Sequence, residues 1–236
     1  MNIALILSGG TGSRVGLNTP KQYIEVKGQP IISYCLQTLL NHEEIDTLCI
    51  VADEAWQDFI CDKVENGELR EAFREKFRGF SVPGATRQLS ILNGLQDIMK
   101  WAEETDYVMI HDAARPLLTG KMISECFAVA QKHDGVLPVL PMKDTVYFSE
   151  NGAKVDSLLQ RSNIYAGQAP EVFVLGKYYQ ANVGLSMDDM LKINGSTEPA
   201  ILAGMDIAMI PGDEQNYKIT TRMDLERFEE LLNREK

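Results

Sequence analysis

The chain has 236 residues, 44% of them hydrophobic and 24% charged, which is an ordinary globular balance and enough chain for one sizeable α/β core. A formal net charge of −11 argues against nucleic acid or an anionic membrane as partner, because either wants a basic face, but it leaves room for a small phosphorylated ligand held by local cations. No apolar run approaches the roughly 20 residues of a membrane span, and Cys35, Cys49, Cys61 and Cys126 stand far apart, so a reduced cytoplasmic protein without zinc or a disulfide framework is expected.

Ile3–Leu7 is unbroken apolar sequence that runs straight into glycines, so it reads as a buried strand rather than a signal peptide. Pro30–Leu40 reads as a helix, Thr47–Ala52 as a second strand and 56–77 as a long polar helical region. Ser81-Val82 forms a short strand stopped by Pro83-Gly84, and Arg87–Trp101 carries helical spacing through Leu89, Leu92, Leu95, Ile98 and Met99. Tyr107–Ile110, Met122–Lys132 and Gly135–Leu140 continue as strand, helix and strand. Lys143–Ala166 then breaks the rhythm as an alternating segment around Glu150-Asn151-Gly152, a hairpin-like arm. A helix (Lys177–Gly184), a glycine/proline loop (Asn194–Pro199), a strand (Ile207–Ile210) and a terminal helix from Asp224 complete the chain. The alternation predicts one domain over 1–236: a Rossmann-like α/β fold with a mostly parallel sheet, helices on both faces and a protruding β-arm at about 143–166.

The first strand ends in Ser8-Gly9-Gly10-Thr11-Gly12-Ser13-Arg14, with Pro20-Lys21-Gln22 soon after. Glycines let backbone N–H groups approach a ligand closely, and Arg14 and Lys21 add two cations, a combination suited to phosphate. It is neither a GxxxxGK[ST] P-loop nor a GxGxxG dinucleotide fingerprint, since the third glycine, Gly16, falls one place late. A plain structural turn is the competing reading of the glycines alone.

Gly-Gly-Thr-Gly-Ser-Arg followed by Pro-Lys-Gln resembles the signature of sugar-nucleotide-type nucleotidyltransferases. Val108-Met109-Ile110-His111-Asp112-Ala113-Ala114-Arg115-Pro116 is similar to the hallmark of cytidylyltransferases acting on 2-C-methyl-D-erythritol 4-phosphate, which share much with ribitol-5-phosphate cytidylyltransferases; Asn216-Tyr217-Lys218-Ile219-Thr220 resembles their late lysine motif. The resemblance runs from residue 3 to 232 and implies attack of a polyol phosphate on the α-phosphorus of CTP, with Mg²⁺ as cofactor. By that resemblance Arg14, Lys21, Asp112 and Lys218 are the catalytic residues, with Asp112 holding the metal or orienting the acceptor. Ser8, Gly9, Gly10, Thr11 and Gly12 would hold the triphosphate. Gly84, Thr86, Arg87 and Ser90 would contact the nucleoside, although Ala85 stands where an acid is common and capping of a helix is the plain role for Thr86 and Ser90. Arg115, Thr145, Arg161 and Lys218 would grip the acceptor, with Thr145 and Arg161 reaching into a neighbour's site through the arm, which implies a homodimer. His111 reads as a packed orienting residue.

The complete His-Asp-Ala-Ala-Arg-Pro string puts methylerythritol phosphate ahead as acceptor. Gly9-Gly10-Thr11-Gly12 and Tyr165-Ala166-Gly167-Gln168-Ala169-Pro170-Glu171 lean towards the ribitol group; both groups usually have threonine at Ala169 and glutamine at Glu171. Two other classes stay open. An NAD(P)-dependent oxidoreductase would need a hydride-transfer constellation after the fourth strand, where Tyr107 lies inside its strand; a non-catalytic nucleotide-binding module would not need Asp112, Arg161 and Lys218 together.

Overall fold

The computed structural model describes residues 1–10, 19–65 and 67–234. In chain order its elements are β1 (Asn2–Leu7), β2 (Glu25–Val26), β3 (Gln29–Pro30), α1 (Ile31–Asn41), β4 (Thr47–Val51), α2 (Glu54–Glu65), α3 (Arg70–Lys76), β5 (Phe77–Ser81), α4 (Arg87–Ile98), β6 (Tyr107–Asp112), α5 (Gly120–Ala130), β7 (Gly135–Pro141), β8 (Tyr147–Phe148), β9 (Ser157–Leu158), β10 (Tyr165–Gly167), β11 (Glu171–Val174), α6 (Leu175–Val183), α7 (Met187–Met190), α8 (Glu198–Leu202), β12 (Ile207–Pro211) and α9 (Arg222–Arg234). Short 3₁₀ turns cover Lys21–Tyr23 and Arg161–Asn163.

β1 is central because its side chains are apolar on both faces. It pairs in parallel with β4 and β6, and β5 extends β4 in parallel. Ile3 and Leu5 face one layer with Ile91, Leu95 and Ile98 of α4 and Tyr178 of α6; Ala4 and Ile6 face the other, with α1 and α5. Period-two alternation thus feeds two cores, the pattern a sheet covered on both sides requires. β11 runs antiparallel between β6 and β7, β10 continues along the same edge of β7, and β12 pairs with β7 in parallel. The fold class is the expected one, with β10 and β11 as the antiparallel exceptions.

Several boundaries differ from the sequence reading. The region 56–77 is two helices, α2 and α3, with Gly67 between them, and Phe77 opens β5. Phe73, Phe77 and Phe80 are spaced four and three apart, which mimics a helical stripe; in the structure Phe73 stacks on Phe77 at 4.4 Å across a helix–strand junction and Phe77 meets Phe80 edge-on at 4.9 Å between ring centroids. β11 escaped detection because it is four residues long and directly follows Pro170. Glu198 and Pro199 open α8, where proline suits the first turn, rather than close a loop. The arm segment does fold back on itself: β8 and β9 pair antiparallel in a separate two-stranded sheet, and Tyr165 and Ala166 return to the main sheet in β10.

α9 buries Leu225 and Phe228 against Val26, Ile31 and Ile219. Phe228 meets Tyr34 edge-on at 5.0 Å. Because Ile219 is inside this cluster, α9 holds the segment that carries Lys218. Phe228→Ala should lower the unfolding free energy by about 3–5 kcal/mol, the range for deleting a buried aromatic, read from the midpoint of urea unfolding at unchanged slope.

Candidate active site

Leu7 of β1 and Asp112 of β6 are register partners at the C-terminal edge of the sheet, where parallel α/β sheets place ligands. A cavity of about 410 Å³ opens there, framed by the β1 loop, the Lys21 turn, the start of α4, Asp112 and the Lys218 segment.

The beginning of the glycine loop is fixed by the turn that follows it. Gln22 Nε2 donates to the carbonyls of Ser8 and Gly10, both at 2.7 Å, and the Ser8 hydroxyl donates to the Tyr23 hydroxyl at 2.8 Å. Tyr23 is itself stacked on Trp56 at 4.3 Å. Gly9, Gly10 and Lys21 line the cavity. Ser8 is buried and spends its hydroxyl on Tyr23 rather than on the cavity. A Cβ on Gly9 would lie 2.5 Å from Pro83 Cβ, so only glycine lets the β1 and β5 loops close together. Thr11, Gly12 and Arg14 lie outside the described residues.

Gly84, Ala85, Thr86, Arg87 and Ser90 form a second wall. Thr86 is the N-cap of α4, accepting from Leu89 N at 3.2 Å. Ser90 Oγ accepts from Gly84 N at 3.0 Å and donates to the Thr86 carbonyl at 2.9 Å. A Cβ on Gly84 would sit 2.7 Å from the Leu89 carbonyl carbon, so glycine is needed for this fold of the loop. The capping role and the cavity-lining position therefore coexist.

Asp112, 6% exposed, is the meeting point of three cations. Arg87 Nε donates to Oδ1 at 3.2 Å, Lys218 Nζ lies 3.1 Å from Oδ2 and Arg115 Nε lies 3.5 Å from Oδ2. Burial alone would raise its pKa; Arg87, Lys218 and Arg115 more than reverse that and hold the carboxyl well below the ordinary range. Arg115 also donates to the Asn216 carbonyl at 2.6 Å, and so ties β6 to the Lys218 segment. His111 is fully buried, and its Nε2 lies 3.1 Å from the Arg115 carbonyl, an acceptor, so that nitrogen carries the proton. Burial pushes its pKa down to about 4 against the pull of Asp112.

The described cavity thus gathers Gly9, Gly10, Lys21, Gly84, Thr86, Arg87, Ser90, Asp112 and Lys218. It does not gather the arm residues of the same chain: Thr145 is exposed, and Arg161 is exposed and donates to the Lys143 carbonyl at 2.8 Å. Arg115 acts here as a strut behind Asp112 rather than as a lining residue. Sequence reasoning passed over the residues that hold the loops: Gln22, Tyr23, Gln168 and Asn216. Asn216 Nδ2 donates to the Ala169 carbonyl at 2.7 Å, and Gln168 Nε2 donates to the Asp213 carbonyl at 2.9 Å.

His111 fixes a pH prediction. Its native pKa, about 4, is below its unfolded value of 6.5, so the unfolded chain binds the proton that the native state refuses. This share of stability is complete above about pH 6.5 and is lost as pH falls toward 4, by roughly 3 kcal/mol at about 1.36 kcal/mol per pKa unit. Urea unfolding of wild type and His111→Gln between pH 7 and 4.5 should show the decline reduced by about that amount in the variant.

The chain matches the family model described as IspD: 2-C-methyl-D-erythritol 4-phosphate cytidylyltransferase over residues 2–234. It is 31% identical to the 2-C-methyl-D-erythritol 4-phosphate cytidylyltransferase of Thermotoga neapolitana, covering 96% of this chain and 94% of that one. It is 29% identical to a ribitol-5-phosphate cytidylyltransferase of Streptococcus agalactiae, covering 99% and 96%. It is also 33% identical to a bifunctional IspD/IspF enzyme of Maricaulis maris, matching 97% of this chain but spanning only 56% of that protein. A crystal structure of the 4-diphosphocytidyl-2C-methyl-D-erythritol synthase of Anaerococcus prevotii shares the fold at TM-score 0.79 and 23% identity, covering 98% of this chain and 96% of that one. Matched by that model from residue 2 to residue 234, the chain belongs to the IspD cytidylyltransferase family.

Proposed function

We propose that the protein transfers the cytidylyl group of CTP to the phosphate of a polyol phosphate, giving a CDP-polyol and pyrophosphate, with 2-C-methyl-D-erythritol 4-phosphate as the acceptor. The observation that carries this reading is the convergence of Arg87 and Lys218 on Asp112, with Lys21 lining the same cavity at the sheet's C-terminal edge. In the reaction an acceptor phosphate oxygen bonds to the α-phosphorus as the bond to the bridging α–β oxygen breaks, and the electron pair leaves with pyrophosphate. Positioning and charge do most of the work in such transfers. Lys21, with Arg14, would meet charge building on the α-phosphate and leaving group; Lys218 would hold the acceptor phosphate next to Asp112.

Mg²⁺ would be held mainly by the nucleotide's own phosphate oxygens. Among the described residues no three acidic, histidine or cysteine side chains gather, and Asp112, the one carboxylate lining the cavity, would share its oxygens between the ion and Arg87, Lys218 and Arg115. When bound, the ion neutralises phosphate charge. A second acceptor, ribitol 5-phosphate, is favoured by the spelling of the Gly9–Gly12 and Tyr165–Glu171 segments and by relatives of both names at similar identity.

The reading extends to a homodimer through the arm. Tyr147, Phe148, Val155 and Leu158 expose apolar side chains on and beside a two-stranded hairpin, and Thr145 and Arg161 point to no site in their own chain's cavity. No helix among the described residues is long and apolar enough to cross a membrane.

Pyrophosphate release measured across CTP, UTP, ATP and GTP with each of the two polyol phosphates should require CTP, Mg²⁺ and one acceptor; no release in any combination defeats the enzymatic reading. Lys21→Ala should depress kcat by about 10²-fold with little change in KM, the scale for one lost charge-stabilising donor, whereas raised KM at unchanged kcat would make it a binding residue only. For the arm, Leu158→Asp should turn a dimer into a monomer by light scattering and raise the KM for the acceptor. A monomeric wild type that is fully active is the contrary result.

A further inference from the structure

The segment that carries Lys218 is held from behind by two buried amides, Gln168 and Asn216, neither of which lines the cavity. In β7, Val139 is the register partner of Gly167 of β10 on one edge and of Pro211 of β12 on the other. Gln168 and Gly212 are thus the first residues past the same rung. The Gln168 side chain bridges the gap as a further rung: Nε2 donates to the Asp213 carbonyl at 2.9 Å, and Oε1 accepts from Asp213 N at 3.0 Å. Asn216 answers in the opposite direction, its Nδ2 donating to the Ala169 carbonyl at 2.7 Å. Asn216 Oδ1 is buried and meets no partner among the described residues, so the side chain is oriented by what its nitrogen donates. Residues 168–169 and 213–216 are therefore joined by a reciprocal clasp, in which each segment's amide side chain binds the other's backbone. A Cβ on Gly212 would overlap Gln168 Oε1, so the clasp needs glycine there.

This clasp lies between the arm and the lysine. Gln168 directly follows β10, the strand by which the arm returns, and Lys143 near the arm's start forms an ion pair with Glu214 of the clasped loop. Beyond the clasp, the Asn216 carbonyl accepts from Arg115 at 2.6 Å, and Ile219 N donates to the Ala114 carbonyl at 2.8 Å. Lys218 stands between those two anchors, with its Nζ 3.1 Å from Asp112 Oδ2. A flexible four-carbon stem has many positions open to it, and a backbone fixed on both sides narrows them. β7 is paired on both edges without the two amides, so their effect falls on the residues that follow them. We propose that Gln168 and Asn216 are positioning residues for Lys218: their clasp sets where its ammonium stands against Asp112, and through it the grip on the acceptor phosphate. The proposal rests on Lys218 holding that phosphate. It brings the foot of the arm into the acceptor half of its own chain's site, and leaves the nucleotide wall from Gly84 to Ser90 untouched.

The test is steady-state kinetics of the full chain with CTP, Mg²⁺ and varied polyol phosphate, beside calorimetric titration with CTP. Gln168→Met keeps the length and removes the amide; Asn216→Ala leaves in place the backbone carbonyl that Arg115 binds. Each should lower kcat/KM for the acceptor by about 10- to 100-fold, chiefly through KM, the scale of a group displaced by an ångström or less. The Kd for CTP should stay within about twofold of wild type. Gly212→Ala, outside the cavity, carries the test if Asn216→Ala does not fold. Its new methyl meets the movable Gln168 amide before any backbone atom, the Val139 carbonyl oxygen being 3.2 Å away, so it should reproduce the loss. Gln168→Ala removes that obstacle, and adding Gly212→Ala to it should cost nothing further, because both act on one clasp. Wild-type acceptor kinetics with only the melting temperature lowered, or equal losses in CTP affinity and acceptor kinetics, would leave the amides structural and overturn the proposal. Fully additive effects of Gly212→Ala and Gln168→Ala would do the same. A wild type that binds CTP and turns over neither polyol phosphate is a different result: it overturns the acceptor reading itself, and this inference with it.

Discussion

Everything at the sheet's C-terminal edge depends on one carboxylate surrounded by more positive charge than it can neutralise. Arg87, Arg115 and Lys218 come from three separate segments, and Asp112 is the only acid in direct ion contact with any of them among the described residues. Without Asp112 the three cations would repel one another and the segments carrying them would have no common anchor. With it they are held a few ångströms apart yet remain net positive. A site of that kind is preorganised for a polyanion, because the cations need not be gathered when the ligand arrives. The chain as a whole carries −11, so this local excess is set by placement and not by composition.

Holding that excess in place takes backbone fixation on every side. Gln22 and Tyr23 hold the β1 loop, and Tyr23 transmits the rigidity of α2 through Trp56. Ser90 and Thr86 hold the β5–α4 loop. Asp224 accepts from the backbone N–H groups of Thr220 and Thr221, at 2.9 and 2.8 Å, and so caps α9 and anchors the Lys218 segment together. Each loop is tied by a polar side chain sitting on an element whose apolar side is in the core. Core packing is thereby converted into positional accuracy at the site.

The apolar runs of β1, β4, β6 and β7 and the spacing in α1, α4 and α5 were legible because each element has a single period and a full core face. The Phe73–Phe77–Phe80 series was not, since aromatic spacing across a junction copies a helix. β11 was not, since four residues between a proline and a helix carry too little period to declare a strand. At the site, charged residues within strings such as His-Asp-Ala-Ala-Arg-Pro were readable because chemistry is written in side-chain type. Gln22, Asn216 and Gln168 were not, because an amide's role depends on which carbonyl lies opposite it, and that is decided by tertiary contact.

On the proposed reading, the two halves of the site differ in how they are built. The nucleotide half is assembled within one chain from loops tied to the core, so a change there disturbs packing as well as binding. Of the four acceptor residues only Lys218 lines that cavity; Arg115 stands behind Asp112, and Thr145 and Arg161 stand on an exposed arm. An acceptor half completed by a neighbour's arm is free of the core's constraints. Substitutions on it cost little folding energy, since exposed positions seldom exceed about 0.5 kcal/mol. One fold can then keep a single nucleotide chemistry while polyol phosphates of different shape are exchanged at the arm. On that reading, the asymmetry would account for a family in which chains of similar identity are named for methylerythritol phosphate and for ribitol phosphate.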